Sequence, residues 1–255
     1  LVPQALMWTL NAFTIRDLPR DVTLLDDLVF QGRGFALRGR LRLDADGLPT
    51  LIEITDGRLR PDDAFTARYE REGDRQQVRV TGRQLDARPF LSRFFSEVDV
   101  AAPAAGGARR ERLDISLRLD RVTGANNQSI GDARLEMTRV GPQITAFTLG
   151  GSLGGATRVT GQILSDQGRP YMMIQTTDGG ALLRFADLYA NMVGGRLTLT
   201  QTLTDPSART SDGVLFIQDF RLRGDPMFER LFGATAAIDT TAGERPGRVV
   251  EQTSI

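Results

Sequence analysis

The chain has 255 residues, 40% of them hydrophobic, and a formal net charge of +0. That length suits one large β domain or two smaller ones, and the balanced charge gives no electrostatic case for a nucleic-acid partner. There is no Cys, His or Lys, all 32 basic residues being Arg, which excludes Ser-His-Asp and Cys-His nucleophiles, Cys/His zinc sites, P-loops and Schiff bases.

The opening LVPQALMWTL is interrupted by Pro3 and Gln4 and is too short to cross a bilayer. Beginning at Leu1, the chain reads as a piece of a longer protein, and any signal or membrane anchor is expected to lie outside it. TLLDDLVF follows, an apolar run broken by Asp26-Asp27, which is either a turn or a solvated step between strands. ALRGRLRLDADG then alternates apolar and polar residues up to an Asp46-Gly47 turn. Further turns are expected at Asp56-Gly57, Gly73-Asp74, Gly141-Pro142 and Asp166-Gln167-Gly168. Asp62-Asp63 sits after Pro61, where Asp favours local backbone hydrogen bonding over catalysis.

The strand QQVRVTGR leads into QLDARPFLSRFFSE, a predicted short helix with Asp86 as N-cap, Pro89 in its first turn and an apolar stripe of Phe90, Leu91, Phe94 and Phe95. Residues 101–112, AAPAAGGARRER, carry no apolar period and are expected to be a flexible loop inserted in one continuous sheet. The Arg cluster within it lacks interleaved aromatics and reads as solvated charge.

LDISLRLDRV is the clearest strand: Leu113, Ile115, Leu117 and Leu119 alternate with Asp114, Ser116, Arg118 and Asp120. Period-two alternation sets one face against apolar material and the other, with Asp114 and Arg118, in water. ARLEMTRV, ITAFTLGGSL, TRVTGQIL and GRLTLTQTL repeat the pattern, so an antiparallel meander is expected. After YMMIQ, Asp178 precedes Leu182, Phe185, Leu188, Tyr189 and Met192, a predicted second helix stopped by Gly194-Gly195. A third follows GVLFIQDFRLRG, with Asp225 before Pro226 and the apolar Met227, Phe228, Leu231 and Phe232. Residues 233–255 carry no strong pattern and are expected to be a loosely ordered tail.

The run DGGALLRFADLYANMVGGRLTLTQTL with GVLFIQDFRLRGDPMFERLF resembles the C-terminal region of the AsmA-like family of bacterial envelope proteins. The positions that carry the likeness include Asp178, Gly179, Gly180, Leu188, Tyr189, Gly194, Gly195, Leu197, Asp219, Phe220, Arg221, Pro226, Leu231 and Phe232. These are structural positions, not catalytic ones. VTGRQLDARPFL and LDISLRLDRVTGANNQSIGDARLEM are similar to the family's preceding strands, so the likeness runs from about Gln76 to Phe232. It implies a periplasmic protein, tethered to the inner membrane by an anchor outside this chain, that supports phospholipid transport and outer-membrane biogenesis through a hydrophobic β-groove.

The expected fold is therefore mainly β: one curved antiparallel sheet, an open trough or groove, with three short amphipathic helices. Periodicity alone leaves a closed sandwich open as well. Leu113, Ile115, Leu117, Leu119, Leu197 and Leu199 are the groove candidates for contact with phospholipid acyl chains. No catalytic residue, metal or cofactor is expected. The alternative is a scaffold domain that binds an envelope partner through a sheet edge; a glycosidase built on Asp/Glu pairs trails both.

Overall fold

The computed structural model describes residues 24–32, 34–91, 111–203 and 213–224. Twelve strands form one open sheet whose spatial order is the sequence order. They are β1 (Leu24–Gly32), β2 (Phe35–Leu43), β3 (Pro49–Arg58), β4 (Ala64–Glu72), β5 (Arg75–Asp86), β6 (Arg112–Thr123), β7 (Ser129–Val140), β8 (Gln143–Leu153), β9 (Thr157–Asp166), β10 (Arg169–Thr176), β11 (Met192–Thr202) and β12 (Gly213–Leu222). A single sheet with no second sheet packed on it removes the sandwich alternative among the described residues.

Tight turns make the hairpins. Between β9 and β10, Gln167 and Gly168 both take positive φ, 48° and 79°, the backbone hand that matches strand twist. Asp44 closes the β2–β3 turn by accepting the N–H groups of Asp46 and Leu48. Asp56-Gly57 is not a turn. It lies inside β3, where the register with β4 shifts between Ile54 and Gly57, so the chain bulges and continues.

The meander has one exception: β5 and β6 are parallel, Val80 facing Leu117. Two parallel neighbours need a connection that returns the chain to the starting end, and the segment between Asp86 and Arg112 does so. It opens with a helical turn at 88–91, where Asp86 accepts the N–H of Arg88 as the expected cap. The expected loop at 101–112 lies outside the described residues except for Glu111 and Arg112, which begins β6.

The second helix, α1 (Gly179–Phe185), is shorter than the sequence suggests. Asp178 caps it, accepting the N–H of Ala181 at 2.9 Å. Its stop is Asp187, with φ 60°, eight residues before Gly195; the Gly194-Gly195 pair instead belongs to β11. Leu188 and Met192 keep a helical spacing, but they fall in the connecting loop and in the strand. Among the described residues two helical segments are seen, at the places of the first and second of the three expected. The third, with Pro226, and the tail at 233–255 lie outside the described residues.

Apolar side chains of β1 to β10 form one cluster on one side of the sheet, and α1 packs against it. Ala181 and Phe185 face that cluster, while Leu183 joins Met192 and Leu197 in a second. Burying these side chains supplies roughly 1.5–3 kcal/mol each, the largest favourable contribution to the fold.

Candidate functional site

Cross-strand register turns the alternation of single strands into rows. One row runs Ile54, Ala67, Val80, Leu117, Leu135, Leu149, Gly161, Ile174, Leu199 and Leu215, from β3 to β12. Ile115 lies in the next row, between Val78 and Met137, with Phe147 beyond. Leu119 lies in the row on the other side, between Gly82 and Ala133. Leu113 is at the far end of β6, and Leu197 sits beside Thr176 and Ile217. All six groove candidates therefore share one face.

They do not share one environment. Leu119 and Leu197 are 3% and 2% exposed; they lie toward the α1 end and belong to the packed core. Leu113, Ile115, Leu117 and Leu199 are half-buried. Along β6 to β11 the apolar face passes from covered at the α1 end to half-buried at the other, whereas on β2 to β5 Leu41, Ile52 and Tyr69 are buried toward that other end as well.

Gly180, Gly195 and Asp219 lie at the covered end. Gly180 lets α1 lie on β11, since a Cβ there would stand 2.4 Å from the Met192 carbonyl oxygen. Gly195 has φ 92°, and a Cβ there would meet the Phe220 Cβ at 2.9 Å. Across the ladder Asp219 also takes positive φ, 57°. The C-terminal end of α1 is held by the β6–β7 turn: Ala125 N–H donates to the Phe185 carbonyl at 2.9 Å, and the Asn126 amide donates to the Arg184 carbonyl. The helix thus reaches from β11 back to β6 and closes that end.

The opposite face is polar and laced with ion pairs. Glu53 bridges Arg40 and Arg68, and Arg68 also holds Glu70. Asp114 accepts from Arg75, Arg112 and Thr138. Burial alone would raise its pKa, but those three donors outweigh it and hold the carboxyl below its usual range. Asp114 thus lies on the polar face but is engaged by three donors, whereas Arg118 is 70% exposed and meets only Glu136, at 3.5 Å. A depression of about 570 Å³ lies on this face over β4–β8, walled by Arg68, Arg79, Asp114, Arg118 and Glu136. Most of its charged walls are already ion-paired.

Neither visible carboxylate pair has the arrangement of an acid/base couple. Asp26-Asp27 occupies the β-bulge of β1, two residues between Leu25 and Leu28 against one on β2. Asp63 is buried and takes the backbone N–H groups of Asp86 and Arg60 at 2.8 and 3.0 Å. Its deeper partner is Asp86, 23 residues away and invisible to a reading of neighbours in sequence. Asp86 is in turn held by the Arg88 guanidinium at 2.6 Å. Among the described residues no group of three acidic side chains is placed to hold a metal ion, and no helix is long and apolar enough to cross a membrane.

No family model matches the chain. No curated protein matches it, and no solved structure does.

Proposed function

We propose that this chain is a non-enzymatic, lipid-handling segment in which the partly solvated part of the apolar face, around Leu113, Ile115, Leu117 and Leu199, receives acyl chains. The observation that carries the reading is the ten-residue apolar row from Ile54 to Leu215, half-buried over most of its length. A row of that width offers continuous apolar area without directional groups, which suits a ligand whose affinity scales with buried area. The resemblance to AsmA-like envelope proteins supplies the wider setting: a curved groove, a periplasmic protein tethered to the inner membrane, and phospholipid moving toward the outer membrane.

The test is native mass spectrometry of detergent-free protein incubated with phospholipid. The wild-type protein retains lipid, Leu117→Asp loses it, and Thr148→Asp on the polar face keeps it. Equal retention by Leu117→Asp and wild type, with both folded by circular dichroism, rules the face out.

A second reading, a scaffold that binds an envelope partner by its edge, is favoured by β12. Val214, Leu215 and Phe216 are exposed there in succession, on a strand that pairs only with β11 among the described residues. The first six residues of this edge, Gly213 to Gln218, carry no charge, and such a stretch accepts an added strand. Saturable binding of an extended envelope peptide, lost in Phe216→Lys, supports it; no binding sinks it.

A further inference from the structure

Two polar groups on the apolar side of the sheet lack what their burial demands. Arg139 is half-buried, and among the described residues it is the only half-buried arginine that makes neither a hydrogen bond nor an ion pair. Arg68, Arg71 and Arg184, the others of that burial, are all engaged. Gln76 is 7% exposed, and its Oε1 is the one buried side-chain oxygen or nitrogen without a hydrogen-bond partner among those residues.

Both fall in a single cross-strand row. Arg71 faces Gln76, Gln76 faces Leu113, Leu113 faces Arg139, and Arg139 faces Ile144. This row is the end of the apolar face away from α1. Arg71 is committed to Asp44 and to the Pro49 carbonyl. The Gln76 amide N–H donates to Glu111 at 3.4 Å, which fixes its oxygen as the group left without a donor. Neighbouring strands stand about 4.8 Å apart, so Gln76 and Arg139 are separated by roughly 10 Å with Leu113 between them.

We propose that this row is the headgroup end of the acyl-binding face: Arg139 takes the phosphate of a phosphodiester, and Gln76 Oε1 accepts from a hydroxyl or ammonium carried on it. The inference rests on the lipid reading above. It gives the bound lipid a direction, tails toward Leu117 and α1 and phosphate at the Leu113 rim. A guanidinium is suited to that task, because it offers paired N–H donors to a phosphate. An unpaired buried acceptor gains most from a ligand donor, since its cost is already present in the empty site.

The test compares dimyristoyl phosphatidylglycerol with dimyristoylglycerol, which has the same chains and no phosphate, and includes free glycerol 3-phosphate as a third probe. Wild type and the polar-face control Arg134→Gln prefer the phospholipid, and Arg139→Gln reduces that preference by about fivefold or more while retaining dimyristoylglycerol. Gln76→Met, a second variant of similar volume, weakens phosphatidylglycerol retention in the same direction. Unchanged preference in Arg139→Gln overturns the headgroup assignment and leaves the acyl face standing. Retention of neither lipid by wild type overturns both. Binding of glycerol 3-phosphate that depends on Arg139, with no lipid retained, assigns the rim to a soluble phosphate ester and overturns the lipid direction.

Discussion

The carboxylate of Asp63 accepts the backbone N–H of Asp86 at 2.8 Å, and both acids are buried while only one has guanidinium partners. This contact ties the β3–β4 turn to the point where the chain leaves β5 for its crossover. The two groups respond to pH with opposite signs. Burial, the largest cause, raises the pKa of Asp63 despite its backbone donors. The Arg88 guanidinium, foremost, lowers that of Asp86, aided by the Arg88 N–H and by Arg60.

A raised carboxyl pKa contributes stability below the unfolded value of about 3.9 and loses it as pH climbs through the folded value. A lowered one contributes above about 3.9 and loses it as pH falls through the folded value. Asp86→Asn is therefore expected to flatten the loss of stability below pH about 4, and Asp63→Asn to flatten the loss above it. Urea melts of both variants between pH about 3 and 7 check this; identical profiles for the two would refute the opposite signs.

The depth gradient along β6 makes a second prediction. Leu119→Ala, at the covered end, should cost about 2–4 kcal/mol, and Leu113→Ala, at the half-open end, under about 1.5 kcal/mol. Equal costs in chemical denaturation would mean that the two ends of the face are equally covered.

Gly180 and Gly150 form a matched pair for the packing of α1. A side chain at Gly180 must displace the Met192 carbonyl, whereas nothing lies within 4 Å of the Cβ position at Gly150. Gly180→Ala should destabilise by about 2 kcal/mol or more, and Gly150→Ala should be neutral or gain up to about 1 kcal/mol from reduced chain freedom. Thermal melting decides it, and a silent Gly180→Ala would free the helix from β11.

On the polar face, Asp114→Ala removes the acceptor of three donors and should cost about 1–2 kcal/mol. Arg118→Ala, four residues further along β6 on the same face and largely in water, should stay within about 0.5 kcal/mol. If the two variants melt together, the Asp114 hub contributes nothing.

Most strands were legible because alternation such as Leu113, Ile115, Leu117 and Leu119 has a single structural meaning when each second residue is charged or hydroxylated. Hairpins at Asp46-Gly47 and Gln167-Gly168 were legible for a similarly local reason, a backbone conformation that few residues accept. What alternation does not carry is direction. Nothing in Arg112 to Thr123 distinguishes a strand parallel to β5 from an antiparallel one. The length of α1 was misread because Leu188 and Met192 keep a helical spacing, while the left-handed Asp187 that ends the helix is not marked by a glycine. The Gln76–Arg139 row was beyond sequence altogether. Its register passes through the parallel pair, and neither residue stands out among the glutamines and arginines until burial separates them.

Strict sequential pairing, with each described strand hydrogen-bonded only to its neighbours in the chain, also bears on how this molecule would yield to force or to proteolysis. A closed barrel has a seam whose rupture opens every strand at once, but an open ribbon has only two ends and unravels from them. Pulled across its width, such a ribbon would shed hairpins one after another. The junctions without a tight turn to re-form them, the parallel β5–β6 pair and the β10–β11 pair joined through α1, are where the two sides would part for longest.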